Sequence, residues 1–274
     1  MNELLLKINQ ASDYISSNIP CTPDIAIILG SGLGPLADEI ENPIVLSYEN
    51  IPHFVQSTVK GHDGKLVFGQ LSGKNVIAMK GRFHYYEGHD MSITTLPTRV
   101  FAKMGIKNIM VTNAAGGIND DFNPGDLMLI KDHNTLFCPS PLRGPNLEEF
   151  GARFPDMSDI YNKYLRIMAN NAAERLNIDL KEGVYSFFNG PQYESKADII
   201  ALKTLGADAT GMSTVPEVIV AKHCGMNVLG LSLITNKAAG LSNEKLSHSE
   251  VVAIAKVAES KLITLAKEIV KDWN

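Results

Sequence analysis

Cysteine is scarce, with only Cys21, Cys138 and Cys224 in 274 residues and no C-x-x-C pair among them. A disulfide framework or a zinc knuckle needs closely paired cysteines, so neither is expected, and a reducing cytoplasm suits the chain best. Positive charge is not in excess: 25 Lys and Arg face 30 Asp and Glu, a formal net charge of −5. No broad basic field exists to attract a polyanion, which argues against nucleic acid as a partner. Long apolar runs are missing too. No stretch reaches the roughly 20 residues of a membrane span, and the opening MNELLLKINQASDYISSN carries charges inside its apolar stretch. That pattern fits an amphipathic helix and not a signal peptide. No Gly-Lys-Ser or Gly-Lys-Thr follows a glycine loop, which excludes a Walker nucleotide site. Fixed-period repeats and low-complexity tracts are also lacking. The composition is that of a soluble cytoplasmic protein with no membrane partner.

What is present is a series of short apolar runs. DIAIIL (24–29), PIVLSY (43–48), KLVFGQL (65–71), NVIAMKG (75–81), NIMVTN (108–113), DLMLIKD (126–132), GVYSFF (183–188), DATGM (208–212) and NVLGLSLITN (227–236) read as strands. Several are almost continuously hydrophobic, the mark of burial on both faces. Between them, SITTLPTRVFAKMG, MSDIYNKYLRIMANNAAERLN, SKADIIALKTLG, VPEVIVAKHCG and VVAIAKVAESKLITLAKEIVKDW repeat apolar residues every three or four positions, as helices do. Alternating strands and helices predict an α/β sandwich. One long proline-rich stretch, 133–156, has no clear period, and loops of that size are usually functional or interfacial. In GMSTVPEVIVAKHCG, Ser213 or Thr214 can cap a helix with Pro216 in its first turn and Gly225 at its left-handed end. Ser247 and Glu250 have capping-box spacing around His248.

GSGLG (30–34) ends the first run, and glycines there can present backbone N–H groups to an anion or simply make a tight turn. A dinucleotide site wants G-x-G-x-x-G with a distant ribose acid. Here Gly34 comes one residue early, although Glu49 could stand as the acid. GRFHYYEG (81–88) adds a second anion-binding feature. If NVIAMKGRFH runs extended, Arg82 and His84 project from the same face, a guanidinium fork beside an imidazole. Glu87 is near enough to pair with His84, which favours the charged imidazole. His84, Glu87 and His89 lack the helical HExxH spacing, so no metal is expected. Ser213, at a helix N-terminus, supplies a hydroxyl and amides in the positive field of the helix. Three separate segments without a lysine-rich patch favour one compact phosphate over a long dinucleotide.

In this order GSGLG, GRFHYYEG, VTNAAGG (111–117), GPQYES (190–195), GADATGMSTVPEV (206–218) and LSLITNKAAG (231–240) closely resemble the trimeric purine nucleoside phosphorylases. The likeness covers nearly the whole chain, including RGPN and RFPDMSD in the long loop. It implies a single α/β domain over 1–274, with a mixed central β-sheet partly closed into a barrel and flanked by α-helices, assembled as a homotrimer. It implies phosphate contacts at Ser31, Arg82, His84, the backbone of Ala114 and Ser213, and purine contacts at Tyr193, Glu194 and Asn236. Ribose contacts fall on Tyr86, Met212 and His248, with Phe154 lent to the neighbouring subunit's sugar pocket. His62 lies on a segment that covers the phosphate.

Asn236, Glu194 and His84 are the catalytic candidates of this resemblance. The implied reaction is reversible phosphorolysis of purine ribonucleosides or deoxyribonucleosides in purine salvage, with orthophosphate as co-substrate and no cofactor. Related methylthioadenosine phosphorylases carry aspartate and threonine where this chain has Asn236 and Ser213, so inosine and guanosine are the expected substrates. A nucleoside-binding protein without catalysis would bind phosphate and base yet release no free hypoxanthine.

Overall fold

Near-continuous apolar runs form strands that bury both faces, and each of the nine runs overlaps a strand here, that of Ile25–Ile28 buried along its whole length and that of Glu41–Ser47 mostly exposed. The computed structural model describes residues 3–56, 63–242 and 248–273, the side chains of 248–250 excepted. Its strands are β1 (Ile25–Ile28), β2 (Glu41–Ser47), β3 (Lys65–Leu71), β4 (Lys74–Lys80), β5 (Asn108–Gly117), β6 (Leu127–Asn134), β7 (Leu180–Phe187), β8 (Ala209–Gly211) and β9 (Asn227–Lys237). The helices are α1 (Glu3–Asn18), α2 (Met91–Thr94), α3 (Leu96–Lys103), α4 (Lys163–Arg175), α5 (Lys196–Thr204), α6 (Val215–His223) and α7 (His248–Asp272).

The strands form one sheet in the order β2-β3-β4-β1-β5-β8-β7-β6-β9, and a further pairing of β5 with β9 closes its second half. Five strands therefore make a barrel while the other four extend from β5 as an open wing. Pairing is mixed: β1 is parallel to β4 and β5, and β5 to β9, whereas β8 runs antiparallel to β5 and β6 to β9. The α/β architecture with a partly closed mixed sheet agrees with the sequence expectation.

Burial on both faces is visible within β1 itself. Ala26 and Ile28 enter one apolar cluster with Ile8 and Ile15 of α1, Val100 and Phe101 of α3, and Val218 of α6. Ile25 and Ile27 enter the opposite cluster with Ala169 and Ala172 of α4 and Leu262, Leu265 and Ile269 of α7. Helices thus cover both sides, and the parallel strands β1, β5 and β9 deliver their carboxyl ends to one edge, where open α/β sheets bind ligands.

Three local expectations change. The run from Ser92 divides into α2 and α3 at Thr95, because Pro97 has no N–H to donate back to the preceding turn. Helix α4 begins at Lys163 and not at Met157, since the Asn162 side chain caps it, accepting from the N–H of Tyr164 (2.9 Å) and Leu165 (3.2 Å). After the glycine loop the chain makes a 3-10 helix over Gly34–Glu39, with Pro35 in its first turn, in place of an α-helix. The long loop carries neither strand nor helix from 135 to 162. Gly225 ends α6 in the left-handed region (φ 71°), as its place predicts. The expected box of Ser247 and Glu250 falls outside the described residues.

Candidate active site

The turn after β1 is held against β5 closely enough to require glycine. A Cβ on Gly30 would lie 2.7 Å from Asn113 Cα and 2.9 Å from the Thr112 carbonyl oxygen, backbone atoms that cannot yield. Gly32 adopts φ 76°, a conformation open to glycine. The turn sets Ser31 at the mouth of a cavity that Arg82, His84, Ala114 and Ser213 also line. Tyr86, Tyr193, Glu194, Met212 and Asn236 line the same cavity. The five residues assigned to phosphate, the three assigned to the purine and two of those assigned to ribose therefore meet in one place.

Arg82 is 1% exposed and ties three segments together. Its Nε donates to Glu217 Oε1 of α6 (2.7 Å), and its Nη1 donates to the Thr112 carbonyl of β5 (2.9 Å) and to Ser213 Oγ (3.1 Å). β4 stops at Lys80, so Arg82 and His84 do not ride on an extended strand, yet both still face the cavity. Ser213 precedes α6 through an unusual turn. Thr214 has φ 74° and ψ −54°, and the Val215 N–H bonds to the Ser213 carbonyl at 2.8 Å, which is a γ-turn with a positive central φ. A β-branched residue held there is strained, and such strain collects at functional sites. Asn113 Nδ2 holds it by donating to Thr214 Oγ1 (2.9 Å). Thr214 thus stands at the N-cap position before Val215, and its hydroxyl does not cap the helix.

His84 is 6% exposed, with Nδ1 3.0 Å from Glu87 Oε1, and its ring stacks on Tyr86 at 4.6 Å between centroids. The expectation that Glu87 would favour the charged imidazole is corrected by burial. Desolvation is the largest influence and holds His84 below the usual imidazole range, the carboxylates of Glu87 and Glu217 only partly offsetting it. His84 is therefore held toward the neutral form, its ring fixed by Glu87.

In the same cavity, Glu194 is 7% exposed and accepts from Thr210 Oγ1 at 2.7 Å. It is not the solvated acid that its place before a helix suggests. Burial raises its carboxyl above the ordinary range, and the Thr210 hydrogen bond pulls the other way. A reciprocal box fixes the chain just beyond: Ser195 Oγ accepts from the Asp198 N–H (3.2 Å), and Asp198 Oδ2 accepts from the Ser195 N–H (2.8 Å).

Asn236 owes its position to an irregularity. Ala115 pairs with Ile234 and Gly116 with Asn236, so Thr235 is an extra residue in β9, a bulge of the kind that re-aims side chains beside active sites. Thr235 Oγ1 donates to Asn236 Oδ1 at 2.9 Å, which leaves the amide nitrogen as the donor, with one N–H bonded to the Lys237 carbonyl.

The remaining assigned residues lie elsewhere. Phe154 is 87% exposed and lines a different cavity with His133 and Leu142. His62 and the side chain of His248 lie outside the described residues, although the backbone of His248 opens α7. Burial pushes the Cys138 thiol up to about 12 and the Cys224 thiol up to about 11, so neither is a thiolate at neutral pH. Sequence reasoning missed Glu217, Thr210 and Thr235. The available signal was position: Glu217 stands four residues after Ser213, one helical turn from the anion end of α6.

Comparison with known proteins agrees with this geometry. Residues 24–271 match the family model described as the phosphorylase superfamily. Purine nucleoside phosphorylase 1 of Bacillus subtilis is 52% identical over 268 residues, covering 98% of this chain and 99% of that protein. The rat purine nucleoside phosphorylase is 50% identical over 92% of this chain and 90% of its own. Crystal structures of Schistosoma mansoni purine nucleoside phosphorylase superpose with TM-scores of 0.93, one in complex with inosine (38% identity, 98% and 97% of the two chains) and one with adenosine (39%, 98% of each). The chain therefore belongs to the phosphorylase superfamily and is an enzyme of the purine nucleoside phosphorylase kind.

Proposed function

We propose that this enzyme prefers the 6-oxopurine nucleosides inosine and guanosine, cleaving them reversibly with orthophosphate to free base and ribose or deoxyribose 1-phosphate in purine salvage. The observation that carries the reading is the convergence of an arginine, two serines and a histidine fixed by Glu87 with a buried carboxylate and an amide around one cavity. Arg82, Ser31, Ser213, His84 and the backbone at Ala114 hold the phosphate, which attacks C1′ and also neutralises the positive charge developing on the sugar. Asn236 donates its free amide N–H to purine N7 as negative charge grows there. Glu194 accepts from N1–H, a proton that hypoxanthine and guanine carry and neutral adenine lacks. Tyr193 packs on the base, while Tyr86, the Met212 backbone and His248 meet the ribose. No cofactor takes part.

The same reading makes the protein a homotrimer in the cytoplasm. The long loop exposes Phe154 (87%) and Leu136 (62%), and Phe154 reaches a neighbouring subunit's sugar pocket.

Inosine incubated with and without phosphate tests the reaction: hypoxanthine release that depends on phosphate, and adenosine turnover well below that of inosine, are expected. Release indifferent to phosphate would mean hydrolysis. Thr210→Val tests Glu194. The hydroxyl lowers the Glu194 pKa, so its loss raises it further, and the acid limb of kcat/KM for inosine should move to higher pH, with activity at the alkaline plateau least affected. An unmoved limb would remove Glu194 ionisation from the mechanism.

A further inference from the structure

We propose a second oxyanion site, separate from the active site, in the cavity between α2, α3 and the loop at 141–147, where Arg99 holds an inorganic anion of phosphate or sulfate size. Arg99 is 4% exposed. Its Nη1 donates to Thr95 Oγ1 (2.8 Å) and its Nη2 to the Pro141 carbonyl (3.2 Å), both uncharged acceptors. Its buried Nε has no hydrogen-bond partner among the described residues. Arg82, buried to a similar depth, has the Glu217 carboxylate at 2.7 Å, whereas no ion pair among the described residues includes Arg99. A buried charge without a counter-charge is costly, and a guanidinium that lines a cavity is a ready oxyanion donor.

The cavity that Arg99 lines has a volume of about 180 Å³. It exceeds several-fold the roughly 30 Å³ share of a water molecule. Arg143, Ser92, Asn146 and His223 line it as well, and none of them borders the active site. Arg143 is exposed and adds a second guanidinium. His223 sits with Nε2 3.2 Å from Asn146 Oδ1, and burial, together with the Arg99 charge, holds it below the usual imidazole range, so it contributes a hydrogen bond and not a charge. Of the nearby acids, Glu149 is engaged by Lys103 at 3.3 Å, and Glu148 is exposed and acts on His223. The lining supplies cations and neutral donors and no carboxylate.

Equilibrium dialysis of the whole protein against radiolabelled inorganic phosphate tests the site. Wild type should bind two phosphates per chain and Arg99→Met one, with phosphorolysis retained. Because Arg99 also anchors Pro141, Ser92→Asp provides a variant that keeps the anchor and places a fixed carboxylate in the cavity. It too should bind one, and it should melt above wild type in phosphate-free buffer. One phosphate in wild type, unchanged in Arg99→Met, overturns the site, as do two in both variants. A single phosphate in wild type that Arg99→Met abolishes would uphold this site while refuting phosphate binding by Arg82 and the two serines.

Discussion

Asn236→Ala is expected to lower kcat for inosine phosphorolysis by about 10²–10³-fold, the cost of one lost hydrogen-bond donor to a developing anion. The structure explains why a water is a poor replacement. The bulge at Thr235 precedes Asn236, which lines the cavity, and Thr235 Oγ1 on Asn236 Oδ1 fixes the amide oxygen and leaves the nitrogen as the donor. The donor is thus oriented before the substrate arrives, and the transition state gains the bond without reorganisation. Asn236→Asp replaces that N–H with an acceptor, or with an acid proton when the carboxyl is protonated against N7, and it removes the preference for 6-oxopurines. The ratio of adenosine to inosine kcat/KM should rise although inosine turnover falls. An alanine variant within a few-fold of wild type, or an aspartate variant with an unchanged ratio, would take Asn236 out of both arguments.

The contrast between Asn236 and its surroundings shows how much a sequence can disclose. The strands were readable because burial on both faces demands unbroken apolar runs, and β1 divides its residues between the two clusters as such a run must. The cavity was readable in part because its polar residues sit in short motifs at strand ends, and Ser31, Arg82, Ser213, Glu194 and Asn236 do line one space. Closure of the barrel was not readable from periodicity, since the pairing of β5 with β9 joins residues more than a hundred positions apart and leaves no local pattern. The bulge at Thr235 is equally silent, because an extra residue in a strand buried on both faces breaks no alternation. Thr210 was hidden inside a three-residue strand, and the polarity of His84 was misjudged because spacing reveals a neighbouring acid but not the extent of desolvation.

Glu217 is the largest of these omissions, and it carries the second strong expectation. An acid in the first turn of a helix ordinarily complements the helix dipole at the surface. Glu217 is instead 5% exposed and 2.7 Å from Arg82 Nε, inside the cluster proposed to hold phosphate. It fixes one edge of the guanidinium, so that Nη1 can reach Ser213 Oγ and the Thr112 carbonyl. Removing one partner of a buried pair leaves the other charge uncompensated, at a cost of about 3–5 kcal/mol. Glu217→Leu should therefore melt well below wild type in phosphate-free buffer, at roughly 2–4 °C for each kcal/mol lost. Phosphate should then stabilise the variant by a larger increment than it does wild type, because the bound dianion becomes the counter-charge that Arg82 lacks, and binding to the folded state alone raises stability. Catalysis should not recover with it: kcat should stay depressed at saturating phosphate, since the anion restores charge but not the orientation of the fork. Glu217→Gln, which keeps an acceptor for Nε without the charge, should recover kcat in part while retaining the enlarged phosphate increment. Equal phosphate increments in wild type and both variants would show that Glu217 supports the helix alone and has no part in poising Arg82.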